Sequence, residues 1–359
     1  MHPAAELVEY YQALKRAGRA EEARKTLQSA FSMALMEEAG RPVACMIRSL
    51  GELPRPLASP AHALAQIGRK FILLWFREEV DLTPAMSLSM FGLYSRLFGA
   101  VAAHLEDDTS REIVANFSDG CETEGDYRRI SFSCSRADSI LIPDYLFTNS
   151  NGYAALRRQV AATALPWRER RNVLFWRGAA NGRLLAAPKA GQWSWHQRLH
   201  LCQWARESRF AGFTDIGIPD HDSVTIETVK PAIEAAGFLR PAVPKESFLF
   251  YRYLVDIDGW SNAWGLLEKL MMGATVLKVG SAFGYRQWYY DRLEPWVHYV
   301  PVAADLSDLD AVLDRLSAHP EEAERIAAQG RAFAEALDPE TEIVEAERRI
   351  QAAVMPVVC

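Results

Sequence analysis

Residues 253–279 read YLVDIDGWSNAWGLLEKLMMGATVLKV. An apolar run closes on Asp256-Ile257-Asp258-Gly259-Trp260, a helical pattern opens at Ser261-Asn262-Ala263-Trp264, and a second apolar run, ATVLKV, follows. Strand, helix and strand in that order make the βαβ unit of a parallel sheet. A strand that feeds directly into a helix gathers backbone N–H groups and the positive end of the helix dipole, so it suits an anionic ligand. The spacing predicts a helix beginning at Ser261.

The alternation continues outward. NVLFWRG (172–178), FTDIGI (213–218), FYRYLVDID (250–258) and VHYVPV (297–302) read as strands, with helical patterns over 192–209, 261–273 and 308–337. The first half is different in character. A helical pattern covers 1–40, ending at Gly40 before Pro42, and another covers 91–105. Short strands are expected at 112–117, 130–133 and 139–142. The chain is therefore α/β. The polar, proline-containing stretch TALPWRERR (163–171) is the expected boundary between an N-terminal domain, 1–165, and a C-terminal one, 166–335. The last helix, 336–359, is expected to pack back on the first domain.

Composition narrows the class. A chain of 359 residues exceeds the roughly 250–300 that one core usually supports. A net charge of −6 argues against a broad nucleic-acid footprint. Cys45, Cys121, Cys134, Cys202 and Cys359 show no CxxC spacing, so they form no zinc motif and fit a reducing compartment. The N-terminus lacks a secretory pattern. The apolar stretch 85–105 carries Arg96 at its centre, which costs about 2.5–3.5 kcal/mol in a membrane. A buried helix and a cytoplasmic protein are expected, with peripheral contact at the inner membrane as the one membrane role considered.

Several groups could carry chemistry. After the strand 172–176 comes Arg177-Gly178-Ala179-Ala180-Asn181-Gly182-Arg183, in which glycine admits backbone approach and guanidinium forks match phosphate oxygens. Neither GxGxxG nor GxxxxGK[ST] occurs, which disfavours NAD or ATP. Asp256 and Asp258 form a DxD pair, readable as metal ligands or as a strand-end cap, with the cap favoured. Asp220-His221-Asp222 and Asp308-Leu309-Asp310 read as loop and helix-start residues. His196 and His200 lack an HExxH context and read as surface or boundary residues. Asp119 follows a strand and precedes Gly120, where either a general base or a simple Asp-Gly turn fits.

Together these segments resemble the CAP10-like family of glycosyltransferases, glycosyltransferase family 90, over roughly residues 112–335. The resemblance rests on YLVDIDGWSNAWGLLEKLMMGATVLKV, WYYDRLEPWVHYVPVAADLSDL, LFWRGAANGR and IAAQGRAF. It implies a GT-B-like fold, two Rossmann-like domains facing a cleft, and inverting transfer from a UDP-sugar without metal or other cofactor. It assigns the base to Asp119, which precedes ISFSCSR (130–136). Arg177, Gly178, Ala179 and Arg183 then fall on the diphosphate turn. Gly259, Trp260, Ser261, Asn262, Ala263, Trp264 and Gly265 fall on the UDP-sugar wall. In the family's protein O-glucosyltransferases that last run ends in arginine, so Gly265 leaves one phosphate contact to Arg177, Lys278 or Arg286. The implied donor sugar is glucose or xylose, and the implied acceptor is a glycan, a lipid-linked or a lipopolysaccharide-type hydroxyl. A non-catalytic nucleotide-sugar or glycan-binding module is the alternative.

Overall fold

A computed structural model describes residues 10, 13–14, 16–39, 44–53, 62–76, 84–105, 110–116, 129–189, 191–219 and 230–354. The chain divides into two units, Met1–Gly152 with Pro339–Cys359, and Tyr153–Asp338.

The first unit contains α1 (Ala20–Ala39), β1 (Ala44–Ser49), β2 (His62–Ile67), β3 (Phe71–Phe76), α2 (Pro84–His104), β4 (Arg111–Asn116), β5 (Arg129–Ser131), β6 (Ile140–Leu141) and α3 (Tyr145–Asn149). Its sheet runs β1-β3-β2-β4-β5-β6. β2 is antiparallel to both neighbours and every other pairing is parallel. β1, β2 and β3 are additions to the sequence reading. β2 is buried through Ala63, Leu64, Ala65 and Ile67, so both faces are covered and no polar alternation marks it. Its two alanines are also poor strand signals.

The apolar stretch 85–105 falls almost wholly in α2, where Tyr94, Leu97, Phe98 and Val101 are buried. Arg96 leaves that apolar face to pair with Glu340 and Glu347 of the C-terminal helix Pro339–Val354. Among the described residues no helix is long and apolar enough to cross a membrane.

The second unit contains α4 (Ala154–Thr163), β7 (Arg171–Arg177), α5 (Gln197–Glu207), β8 (Thr214–Pro219), α6 (Lys230–Ala235), β9 (Leu239–Arg240), β10 (Tyr251–Asp256), α7 (Leu266–Met271), β11 (Thr275–Val279), β12 (Val300–Val302), α8 (Leu309–Ala318) and α9 (Pro320–Ala336). The sheet order is β12-β11-β10-β7-β8-β9 and every pairing is parallel. Numbered within the unit, that is the doubly wound order of a dinucleotide-binding fold. Each face of the sheet is covered. Leu174, Trp176, Tyr253, Val255, Leu277 and Val279 point into one core, and Phe175 and Leu254 into another with Val160 of α4 and Met272. The α/β class and the two sheet-centred units agree with the GT-B-like expectation, although the antiparallel β2 makes the first sheet mixed.

Several boundaries differ from the sequence reading: the helix expected over 91–105 begins already at Pro84, and the pattern over 192–209 forms a helix only over Gln197–Glu207. The helical pattern over 308–337 splits at His319, because Pro320 cannot continue a preceding helix but suits the first turn of the next. The strand expected over 297–302 shrinks to Val300–Val302. The helix expected from Ser261 begins only at Leu266 and is six residues long.

Candidate active site

In the second unit β7 and β10 are neighbours, and the strand order reverses between them. The chain leaving β7 and the chain leaving β10 depart in opposite directions there, which opens a crevice beyond their carboxyl ends. Residues 177–183 and 257–265, the two segments singled out in the sequence, occupy those two exits.

One side chain missing from the sequence reading ties the exits together. Arg198, in the first turn of α5, donates Nε to the Asp258 carbonyl at 2.8 Å and Nη2 to the Ile257 carbonyl at 3.2 Å. Its Nη1 donates to the Ala179 carbonyl at 2.9 Å and to the Asn181 side-chain oxygen. Burial pushes its pKa down to about 10, with Asp258 and Asp256 opposing, so it stays cationic at neutral pH. Two glycines permit the close approach. Gly182 has φ +145°, and a Cβ there would lie 3.1 Å from the Gly259 carbonyl oxygen. A Cβ on Gly259 would lie 2.8 Å from Arg198 Nη2 and 2.9 Å from Asn181 Oδ1.

Below this junction the charges are paired, although Asp256 Oδ2 makes no hydrogen bond. Asp256 is fully buried, with Lys269 Nζ at 2.7 Å from Oδ1 and Lys278 Nζ at 3.5 Å from Oδ2. Lys278 Nζ also stands 4.6 Å from the centre of the Tyr290 ring. Burial works against the Lys278 ammonium, but Tyr290, Asp256 and Asp258 outweigh it and raise its pKa. Two ammonium groups thus hold the approach to Asp256 that a divalent ion would need, and the DxD pair does not act as one unit. Asp258 instead accepts the Ala263 N–H at 3.1 Å, a loop cap.

Above the junction the polar atoms are not satisfied. The second carboxylate oxygen of Asp258, both polar atoms of the Asn262 side chain and Nε2 of His196 are buried without a hydrogen-bond partner. Each such group costs about 1–3 kcal/mol unless something binds it. Burial raises the Asp258 pKa, with Lys278 pulling the other way.

His196 is no surface residue. It is 1% exposed and caps α5, where Nδ1 accepts the Leu199 N–H at 3.4 Å. Burial, joined by the charge of Arg198, pushes its pKa down to about 4, so the ring is neutral. With Nδ1 accepting, the proton sits on Nε2. That N–H makes only a weak contact with the Asn181 backbone and lies 3.2 Å from the point a Cβ would take on Gly182.

The remaining candidates are placed as follows. Arg177 is spent on Asp215, at 2.5 Å from its carboxylate, and on the Trp176, Asp215 and Pro241 carbonyls. Gly178 packs on Trp176, and the Ala179 carbonyl is held by Arg198. Arg183 stacks on Phe283 at 4.3 Å, in the loop after β11. Lys278 serves Asp256, and Arg286 pairs with Asp291 at 3.2 Å. The Ser261 carbonyl accepts the Gly259 N–H at 3.0 Å, while Ser261, Asn262 and Ala263 are buried. Trp260 is 53% exposed and Trp264 half-buried. Gly265 caps α7, and the nearest cation to its missing side chain is Lys269, whose Nζ lies 3.8 Å from the Cβ point. Asp119, Asp220, His221 and Asp222 lie outside the described residues.

The sequence model described as glycosyl transferase family 90 matches residues 131–341. Protein O-glucosyltransferase 2 of Danio rerio is 30% identical over 171 residues, covering 47% of this chain and 29% of that protein. Protein O-glucosyltransferase 1 of Rattus norvegicus is 34% identical over 83 residues, covering 23% of this chain and 21% of that protein. The matches thus span less than a third of these relatives. Among solved structures, a sucrose-phosphate synthase from Thermosynechococcus elongatus gives a TM-score of 0.39 at 13% identity, covering 92% of this chain and 79% of the other.

Proposed function

This chain belongs to glycosyl transferase family 90, and on that premise we propose that it moves a hexose or pentose, glucose or xylose first, from a UDP-sugar to a hydroxyl of a glycan or lipopolysaccharide-type acceptor. The observation that carries this reading is the set of unsatisfied polar atoms at the β7/β10 exit, where a doubly wound sheet receives phosphates. The His196 Nε2–H, the Asn262 amide and the Arg183 guanidinium are the donors offered to the diphosphate.

The transfer is a single displacement. Asp119 takes the proton of the acceptor hydroxyl, the acceptor oxygen bonds to the anomeric carbon on the face opposite UDP, and the carbon–phosphate oxygen bond breaks. Negative charge then grows on the departing diphosphate, where pre-placed donors stabilise it without reorganising. Asp256, already held by two lysines, keeps its structural task, and no metal ion takes part.

Asp119→Asn tests the base. A folded variant should lose about 10²–10⁴-fold in transfer rate while keeping its affinity for UDP. Near-normal transfer would remove the assignment. Gly265, where the family's protein O-glucosyltransferases carry arginine, favours a second reading as a nucleotide-sugar-binding module. That protein would gain thermal stability from UDP yet neither hydrolyse nor transfer from any UDP-sugar.

A further inference from the structure

The opposite edge of the same sheet, at the amino ends of β7 and β11, carries a cavity of about 420 Å³. That size falls within the usual range for small-molecule sites. Its walls are mixed, with Val160, Leu165, Trp167 and Ala327 supplying apolar surface and Arg170, Arg331 and Glu324 supplying charge. Arg170 is only 5% exposed. It is pinned by two hydrogen bonds, from Nε to the Leu165 carbonyl at 3.0 Å and from Nη1 to the Gly273 carbonyl at 2.8 Å. Its Nη2 makes no hydrogen bond among the described residues. The point a Cβ would take on Gly273 is 3.4 Å from Arg170 Nη2 and 3.4 Å from Arg331 Cδ, so the Arg170 guanidinium and the stem of Arg331 both approach that glycine.

The acids nearby are directed elsewhere. Glu324 accepts Arg168 Nε at 2.7 Å, and Glu335 accepts Arg331 Nε at 2.8 Å. Burial, and after it the charge of Arg331, push the Arg170 pKa down to about 10. Arg331 is thus paired with Glu335, whereas the Arg170 guanidinium lies at the recess without a carboxylate of its own, an arrangement that an anion would relieve.

We propose that this recess binds an amphipathic anion, whose phosphate or carboxylate sits between Arg170 and Arg331 and whose apolar chain or ring lies against Trp167, Val160 and Leu165. The site is independent of the sugar-transfer reading. It gives the arginine-rich segment 163–171, which reads in sequence as a boundary, a binding task.

Titration calorimetry of the full chain with octyl phosphate is the test. The wild type should bind it saturably, and inorganic phosphate at least about tenfold more weakly, because the apolar contacts are lost. Arg331→Gln should lower octyl phosphate affinity roughly tenfold or more. Ala328→Trp, on an exposed position lining the recess, should fill it and abolish binding. Both variants should melt near the wild-type temperature without ligand. Vesicles containing phosphatidic acid distinguish the source. Vesicle binding that octyl phosphate competes away identifies a lipid headgroup, and binding of the monomer alone identifies a soluble anion. No saturable binding of octyl phosphate by the wild type, binding unchanged in both variants, or equal affinity for inorganic phosphate would overturn the proposal.

Discussion

The floor and the wall of the β7/β10 crevice are each built around a buried aspartate, and the two end in different states. On the floor, Asp256 meets Lys269 and Lys278, so a buried charge is neutralised. On the wall, both polar atoms of Asn262 are buried without a hydrogen bond, and Asp258 and His196 find only weak neighbours in the Ser281 hydroxyl and the Asn181 backbone. A closed network serves the fold, because its partners lose more if separated than they gained by pairing. An open set serves a ligand, because its cost is recovered only when something binds. The difference separates structural polar residues from binding ones two positions apart in sequence.

That contrast can be broken by mutation. The largest effect belongs to the floor. Asp256→Leu strands two ammonium groups, and denaturant unfolding should show a loss of about 3–5 kcal/mol. A loss below about 1 kcal/mol would mean that the floor is not a closed network.

The next effect is in acid. His196 is neutral in the folded chain down to about pH 4, whereas unfolded histidine protonates near 6.5. Below pH 6.5 the unfolded state binds the extra proton, so stability falls as pH drops and levels off under pH 4. The difference should reach roughly 3 kcal/mol, and His196→Gln should remove that share of the acid sensitivity. Identical acid melting curves for both chains would place the imidazole in solvent.

The smallest effect belongs to the wall. Asn262→Ala deletes a side chain that bonds to nothing, so stability should hold or rise slightly while UDP affinity falls about tenfold. A variant that is destabilised but binds UDP normally would reverse the assignment of floor and wall.

Four of the five strands read in the second half lie where expected, 297–302 being the exception, because each is an apolar run covered on both faces, and burial of that kind leaves a contiguous signature. The two exits were legible for the same reason, since strand ends with glycines stand out against such runs. His196 and Arg198 were not. A histidine and an arginine at the start of a helix look solvated in sequence, and only the sheet order shows that the start of α5 lies under a crevice. The helix expected at Ser261 failed for a local reason: Asp258 caps the Ala263 N–H and the Gly259 N–H turns to the Ser261 carbonyl, so the chain spends 259–265 in bends before α7 starts. In the first unit, the alanines of β2 erased the alternation that would have announced the hairpin with β3.

Trp260 gives the crevice an optical consequence. It is the one tryptophan among the described residues with more than half of its surface in solvent, while Trp75, Trp167, Trp176, Trp193, Trp195 and Trp288 are buried. Its emission is therefore the red-shifted, quencher-accessible fraction of the chain's intrinsic fluorescence. Occupancy of the β10 exit is written into that fraction, so the native chain carries its own reporter at the site where the sugar nucleotide is proposed to sit.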